Sequence, residues 1–251
     1  MGWFQINLQI EEEQQMKLME KILSQENLEM AIRKVKQNKG APGIDRMTVQ
    51  EIECWFEKYQ DELITKIMNK QYRPMPVKRV YIPKPNGKQR PLGIPTVIDR
   101  VIQQALAQVL STIYEPIFSE HSFGFRPRRS AHMAMEEVLY YLNEGYEWIV
   151  DLDIEKFFDT VNHDKLISIL REHVNDAATL HLIRAYLRAG VLEDGLIRST
   201  TVGTPQGGPI SVVLSNIYLD KFDKELESRG LRFVRYADDC APRTLDISGA
   251  I

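Results

Sequence analysis

Residues 233–240 read Phe-Val-Arg-Tyr-Ala-Asp-Asp-Cys, and the rest of the chain is best understood outward from them. Apolar strand-forming residues lead into two consecutive carboxylates, Asp238 and Asp239, where a strand is expected to end or turn. Two anions held so close raise each other's pKa, so the pair is costly in a buried turn unless a cation binds there. The alternative is a hairpin turn that merely favours Asp, and for an isolated Asp-Asp pair that alternative is the commoner one.

A second acidic stretch lies upstream at residues 150–159, which read Val-Asp-Leu-Asp-Ile-Glu-Lys-Phe-Phe-Asp. An apolar run leads into it, and Asp151 and Asp153 then alternate with apolar residues. This alternation predicts a strand that carries both acids on one face before a turn. A third acid beside the Asp238 and Asp239 turn would complete a two-metal site, in which one ion activates an attacking hydroxyl and the other stabilises the leaving oxygens.

The two motifs together resemble the catalytic core of reverse transcriptases, specifically the proteins encoded by group II introns. The resemblance covers residues 12–240. It implies an α+β right-hand polymerase with fingers and an antiparallel palm sheet, and an RNA-directed DNA polymerase that joins dNTPs to the 3′-hydroxyl of a DNA or RNA primer by two-metal nucleotidyl transfer. It implies catalytic roles for Asp153, Asp238 and Asp239, and it groups them with Ile154 as the residues that bind two Mg²⁺ ions, with Mn²⁺ as a substitute.

A basic segment contrasts with the acidic remainder of the chain. The net charge is −3, yet nine Lys or Arg residues and one acid lie between Lys66 and Arg100, so that segment carries +8 and the remainder −11. Asn86-Gly87 is a strong hairpin signal, and it predicts strands over residues 77–83 and 88–93. Basic side chains near such a tip can bind a triphosphate, although a solvated basic face is the alternative.

The resemblance assigns nucleotide-binding roles to four residues. Lys84 and Arg90 would bind the triphosphate, and Gln206, in the Pro-Gln-Gly motif, would lie under the incoming nucleotide. Phe158 would be the aromatic ring that excludes ribonucleotides by clashing with their 2′-hydroxyl.

Aromatic residues and arginines interleave over residues 118–130, a pattern typical of single-strand binding by stacking and phosphate contacts. The related family uses this stretch along the template path, usually with Gly at the position of Arg128, and Gly is also more usual at the position of Arg46. We therefore predict a set of RNA-binding residues in this stretch and in the basic hairpin: Arg126, Arg128, Arg129, Lys78 and Arg79.

Apolar periodicity predicts a series of helices between these motifs. We expect two over residues 11–37 with a cap at Ser24 or Asn27, and further helices near 48–70, from 96 onward, 130–143, 163–173, 176–189 and 211–228. The predicted domains are an N-terminal helical extension (1–40), fingers with parts of the palm (41–145), a palm (146–240) and an atypical tail (241–251).

Composition excludes several other classes of protein. The 251 residues are 43% hydrophobic and 27% charged, and no apolar run approaches the roughly 18 residues of a membrane span. The N-terminus lacks a signal-peptide pattern, so we expect a cytoplasmic protein with no membrane partner. Cys54 and Cys240 are far apart without metal-ligand spacing, so both are expected to be reduced and structural.

The tail departs from the resemblance. After Cys240 the family continues with an apolar strand, a basic hairpin and a helical thumb, whereas residues 241–251 read Ala-Pro-Arg-Thr-Leu-Asp-Ile-Ser-Gly-Ala-Ile. Pro242 predicts an interrupted strand, which would leave the strand of Tyr236 without its hairpin partner, and the thumb is expected to be absent. Three functions stay open: a reverse transcriptase acting on group II intron RNA, a maturase-type protein that binds and helps splice that RNA, and an inactive truncated fragment.

Overall fold

The structure is a computed structural model. It describes residues 18–83, 87–146, 148–150, 152–154, 157–198, 202–204 and 207–244. The chain forms two compact units, each built from two segments. Unit 1 comprises Met1–Ser111 and Phe158–Ser211, and unit 2 comprises Thr112–Phe157 and Val212–Ile251. The predicted boundaries of fingers and palm stay a prediction.

From residue 18 onward helices occupy the predicted positions, and one short helix, Phe157–Thr160, was not predicted; residues 11–17 of the first predicted helix lie outside the described residues. After a helical segment at residues 18–22, the helices are α1 (Gln25–Gln37), α2 (Ile52–Met68), α3 (Val97–Tyr114), α4 (Ala131–Asn143), α5 (Phe157–Thr160), α6 (His163–Leu170), α7 (Ala177–Leu187) and α8 (Pro209–Ser228). Four begin at side-chain caps, because Ser24, Ser130, Asn162 and Asp176 each accept a backbone N–H of the first turn. None of the helices described is both long and apolar enough to cross a membrane.

The strands form two separate sheets. They are β1 (Val77–Pro83), β2 (Gln89–Ile94), β3 (Trp148–Ile149), β4 (Leu152–Asp153), β5 (Val191–Glu193), β6 (Leu196–Arg198), β7 (Arg232–Tyr236) and β8 (Asp239–Thr244). Unit 1 contains the sheet with order β2-β1-β5-β6, and unit 2 contains a sheet in which β8 pairs β3 and β4 on one side and β7 on the other. Helices and separate sheets together agree with the predicted α+β class.

The predicted basic hairpin is confirmed as β1 and β2, which pair in antiparallel register from Lys78 opposite Ile94 to Pro83 opposite Gln89. The sheet continues into a second hairpin that was not predicted, because β5 pairs β1 in parallel and β6 antiparallel. Its turn residues, Asp194 and Gly195, both have positive φ, at 51° and 78°.

The core of unit 1 forms around α3. The residues of its predicted apolar stripe are all 3% exposed or less: Val97, Val101, Ile102, Ala105, Leu106, Val109 and Leu110. Each fully buried aliphatic side chain contributes roughly 1.5–3 kcal/mol to folding stability relative to an exposed one, so packing against α3 stabilises the rest of the unit.

In unit 2, every strand pair of the sheet is antiparallel, as the sequence predicted. The outer edge of β7 is covered by the segment around Ser122, because Phe123 N–H donates to the Arg235 carbonyl and Arg235 N–H donates to the His121 carbonyl, both at 2.9 Å. Helix α4 packs on the same strand, with Tyr141 and Val234 in one buried cluster. The strand of Tyr236 therefore has both a hairpin partner and a covered edge, contrary to expectation.

The prediction that Pro242 interrupts the strand is wrong, since β8 runs from Asp239 to Thr244. Counted from the two-residue turn, Phe233 and Pro242 form a non-hydrogen-bonded pair, so the backbone nitrogen of Pro242 faces away from β7. On its other side β3 and β4 pair with β8 at one common offset, Ile149 with Arg243 and Leu152 with Cys240, so Pro242 lies opposite Val150, between the two strands. The ladder is interrupted only on that side, where proline has no N–H to donate, and the pairing with β7 is kept.

The cysteines are both free thiols. Cys240 is buried, and burial raises its pKa to about 12, so the thiol is protonated at neutral pH. Cys54 is exposed and has no place in the core, so only Cys240 has the structural role that was expected of both.

Candidate active site

A two-residue turn, Ala237 and Asp238, joins strands β7 and β8. We call these two residues and the following Asp239 the acidic turn. Tyr236 and Asp239 are the paired residues that flank the two-residue turn. Asp238 is half-buried and Asp239 is exposed. The turn therefore presents two successive carboxylates at one end of the hairpin, as the sequence predicted.

The upstream acidic motif reaches the same place through strand register. Strand β4 pairs with β8 so that Asp153 lies directly opposite Asp239 and Leu152 opposite Cys240. Directly opposed residues of an antiparallel pair are nearest neighbours across the sheet, at Cα separations of roughly 4.5–5.5 Å. The side chain of Asp153 lies outside the described part of the structure, as does Asp151. Ile154 follows β4, and its carbonyl accepts the Phe157 N–H at 3.2 Å.

The acidic turn leaves no room for a side chain at Gly124. A Cβ on Gly124 would lie 2.1 Å from the Ala237 nitrogen and 2.9 Å from the Tyr236 carbonyl carbon. The Gly124 carbonyl is held in turn by helix α8, because the Asn216 Nδ2 donates to it at 2.9 Å. The glycine of the Phe-Gly-Phe motif therefore allows two backbones to touch.

Arg235 supports the turn from its interior side and is 1% exposed. Its Nε and Nη2 donate to the two Asp223 carboxylate oxygens at 2.7 and 2.6 Å, and its Nη1 donates to Asn216 Oδ1 at 3.0 Å and to the Ala237 carbonyl at 2.7 Å. Burial raises the pKa of Asp223, and the bonds from Arg235 oppose that rise. One guanidinium thus joins helix α8 to the acidic turn.

Ala237 has a φ of 61°, in the left-handed region that favours glycine. For an L-residue this conformation costs roughly 1–2 kcal/mol. A hydrogen bond from a charged donor contributes roughly 1.5–3 kcal/mol, so the bond from Arg235 to the Ala237 carbonyl is large enough to offset the strain. Sequence reasoning missed Arg235, because nothing in its local pattern shows that its partners lie on a helix.

Comparison with known proteins identifies the family. The family described as reverse transcriptase (RNA-dependent DNA polymerase) matches residues 82–242, which include both acidic motifs. The chain belongs to the reverse transcriptase family. Protein YkfC of Escherichia coli is 38% identical over 221 residues, covering 86% of this chain and 58% of that protein. The group II intron-encoded protein LtrA of Lactococcus lactis is 41% identical over 182 residues, covering 70% of this chain and 30% of LtrA.

A solved structure agrees on the fold. The chain is similar to one titled "Partial Cas6-RT-Cas1--Cas2 complex", with a TM-score of 0.56 and 24% identity over 91% of this chain and 38% of that one. This likeness supports the fold alone. The chain spans 58% of the length of YkfC and 30% of the length of LtrA.

The donor set of the reverse transcriptase motif suits a hard divalent cation. Asp153, Asp238 and Asp239 offer only carboxylate oxygens, and Ile154 has a carbonyl oxygen nearby, which are the ligands that Mg²⁺ and Mn²⁺ prefer. Among the side chains that the structure describes, no three His, Cys, Asp or Glu come together to hold a metal ion. The Asp153 side chain is not among them, so the residues present fit a divalent ion without showing its site.

The predicted nucleotide-binding residues all fall in unit 1. Lys84 and Gln206 lie outside the described residues. Arg90 is exposed on β2 opposite Ile82, near the tip of the confirmed hairpin. Phe158 is buried, at 5% exposure, and its carbonyl accepts the Thr204 N–H at 2.7 Å.

Arg126 does not reach the surface. Its Nε and Nη2 donate to the Glu115 carboxylate at 2.9–3.3 Å, Nη2 also donates to the Glu115 carbonyl at 3.4 Å, and Nη1 donates to the carbonyls of Ser119 and Ser122, the latter at 2.8 Å. It also lies over the Phe118 ring, 5.3 Å from the centroid. A guanidinium used in this way organises its own loop, so we leave Arg126 out of the RNA-binding surface that the sequence predicted.

The other predicted RNA-binding residues divide into two kinds. Arg128 and Lys78 are exposed. Arg129 pairs with Glu120 and lies 5.2 Å from the Phe123 ring centroid, while Arg79 is half-buried with Glu193 at 3.9 Å. The exposed pair is better placed for phosphate contacts, because the other two are already engaged with acids.

Proposed function

We propose that this chain forms the fingers and palm of a group II intron-encoded reverse transcriptase, which adds dNTPs to a DNA or RNA primer on an RNA template. One observation carries the proposal: the register that sets Asp153 opposite Asp239, beside Asp238 in a two-residue turn, inside the segment that matches the family. Asp153 and Asp239 are directly opposed and Asp238 precedes Asp239, so the three carboxylates can bind the same pair of metal ions.

Asp153, Asp238 and Asp239 would hold two Mg²⁺ ions, or Mn²⁺, with Ile154 beside them. When bound, the ions supply activation of the primer hydroxyl and neutralisation of the leaving pyrophosphate. Arg90 and Lys84 would bind the triphosphate, since guanidinium and ammonium groups match phosphate oxygens.

Phe158 and Gln206 complete the proposed nucleotide site. A ring that rejects a 2′-hydroxyl acts through shape and needs no hydrogen bond, whereas the burial of Phe158 by itself fits a core residue equally well. The exposed Arg128 and Lys78 would contact the RNA backbone, and such contacts weaken steeply as salt rises.

The test measures incorporation of a single dNTP onto a primer annealed to an RNA template. Asp239→Asn should lower the rate more than tenfold, equivalent to about 1.4 kcal/mol of transition-state stabilisation, and should leave RNA binding unchanged. The matched control is Asp194→Asn, because Asp194 also lies in an exposed hairpin turn but in the β5–β6 hairpin. Retention of more than a tenth of the rate by Asp239→Asn would remove the metal role.

A second candidate is an RNA-binding protein that assists splicing of its intron. It is favoured by the similarity to a protein of Arabidopsis thaliana named "Nuclear intron maturase 4, mitochondrial", which is 33% identical over 147 residues, covering 56% of this chain and 18% of that protein. The same experiment separates the two. RNA binding by the wild-type chain with no dNTP incorporation, under conditions in which a control polymerase extends the primer, argues against the polymerase. Faster splicing of a group II intron RNA on addition of the chain then separates the splicing role from an inactive fragment.

A further inference from the structure

We infer that Arg235 is a positioning residue for metal binding: its guanidinium holds the Ala237 backbone in the conformation that presents Asp238 and Asp239 together. The effect on metal binding rests on the proposed function, in which the acidic turn binds metal ions. The positioning itself rests on geometry that the structure shows, so it can be tested with no metal present.

The geometry of the contact points to a clamp on the backbone. Arg235 bonds the carbonyl of Ala237, the residue whose left-handed conformation makes the turn, at 2.7 Å. The other end of the same guanidinium is fixed by two bonds to Asp223, a residue with 0% side-chain exposure on helix α8. The turn carbonyl is therefore tied to a rigid element.

Asn216 provides a second set of contacts around the turn. Asn216, also on α8, accepts from Arg235 and donates to the Gly124 carbonyl, and Gly124 lies against the Ala237 backbone. The strand that carries Arg235 is itself anchored, because its N–H and carbonyl both bond the segment from His121 to Phe123. Ala237 is thus enclosed between one helix and one loop, and Arg235 joins them.

Charge balance explains why the Arg235 guanidinium does not compete with a metal ion for the carboxylates of the acidic turn. The bidentate bonds to Asp223 neutralise the guanidinium inside unit 2, so its remaining donors act on neutral oxygens of Asn216 and Ala237. Only arginine combines a bidentate fork with further N–H groups in the same plane. Lysine would keep the charge near Asp223 but cannot reach Asp223, Asn216 and Ala237 with that geometry.

The test compares Arg235→Lys with Arg100→Lys. Arg100 is the control, because it is also a buried arginine whose guanidinium donates to a backbone carbonyl, that of Ala41 at 2.7 Å, and both Arg100 and Ala41 belong to unit 1. The first measurement is hydrogen exchange of the peptide that spans residues 236–240, without metal. Arg235→Lys should speed exchange there at least tenfold beyond any global change, whereas Arg100→Lys should not.

The second measurement is Mn²⁺ binding by electron paramagnetic resonance, without nucleotide or primer. We expect Arg235→Lys to weaken it at least tenfold and Arg100→Lys to leave it within twofold. Should Arg235→Lys fail to fold, the double variant Arg235→Gln with Asp223→Asn removes both buried charges and is expected to give the same two changes.

The outcomes separate the inference from the proposed function. Unchanged exchange in the turn, or equal effects of both lysine variants, would overturn the positioning role of Arg235. Faster exchange in the turn without measurable Mn²⁺ binding by the wild-type chain would uphold positioning of the backbone and refute the proposed metal site, and with it the metal part of the inference.

Discussion

Replacing Gly124 with Ala tests the packing beneath the acidic turn with one added methyl group. The new Cβ would lie 2.1 Å from the Ala237 nitrogen, about 1.3 Å short of the 3.4 Å at which ordinary contact begins. The atoms in its way are backbone atoms of Ala237 and Tyr236, so no side chain can rotate aside. Gly124 lacks a positive φ, so its backbone accepts alanine, and the effect comes from the contact alone.

Two magnitudes follow from that overlap. Overpacking of this kind costs roughly 1–3 kcal/mol of folding free energy, which in a chain of this size lowers Tm by roughly 2–12 °C. A displacement of about 1 Å in a catalytic group costs on the order of a hundredfold in rate. We therefore expect Gly124→Ala to fold, to melt earlier, and to incorporate a single dNTP about a hundred times more slowly than the wild type.

The assay is single-turnover incorporation at saturating dNTP and Mg²⁺, well below the Tm of the variant. Gly230→Ala is the control, because Gly230 is in the same unit, has a φ of 67° and has no atom within 4 Å of a built Cβ. It should lose stability through backbone strain and keep its rate. A Gly124→Ala rate within threefold of wild type, or an equal loss in Gly230→Ala, would refute the reasoning.

Three further predictions concern other sites. Arg128→Gly should raise the free energy of unfolding by about 1 kcal/mol in urea denaturation, because Arg128 has a φ of 61°; no gain would contradict strain there. The hydrogen bond with Glu137 raises the pKa of His121, so the stability that this bond provides is fully present below pH 6.5 and is lost as the pH rises through the higher pKa of the folded state. The Tm of the wild type should therefore exceed that of Glu137→Gln by more at pH 6 than at pH 9. An equal Tm difference at the two pH values would count against the pairing. Phe158→Val should raise incorporation of rNTPs relative to dNTPs, and unchanged selectivity would leave Phe158 as a core residue.

Local signals carried most of the fold prediction. The helix caps at Ser24 and Asn162 depend on hydrogen bonds within three residues, and the Asn86-Gly87 signal lies within the five residues that separate Pro83 from Gln89, the last pair of the hairpin. Such features form from neighbouring residues, so the sequence contains what is needed to recognise them. The order of the acidic motifs likewise predicted their meeting, which the pairing of Asp153 with Asp239 bears out for the backbone.

Non-local pairing accounts for the failures. The β5–β6 hairpin contains the Asp194-Gly195 signal, yet its strands are only three residues long and gain a sheet only because β5 pairs β1, more than a hundred residues earlier. The missing donor of Pro242 does not by itself end the strand, because β8 keeps its pairing with β7 on both sides of this residue. Whether that donor is needed depends on which side of β8 it faces, and that follows from the register of three other strands.

The arginines show how a charge pattern can mislead about function. Arg126 and Arg235 both lie within motifs, yet each is buried against a carboxylate 11 or 12 residues away, Glu115 for one and Asp223 for the other. An arginine neutralised in this way displaces no counterions from a phosphate backbone, so it adds nothing to the salt dependence of RNA binding. The salt slope of this chain should therefore be smaller than its count of basic residues suggests, and it should depend on exposed residues such as Arg128.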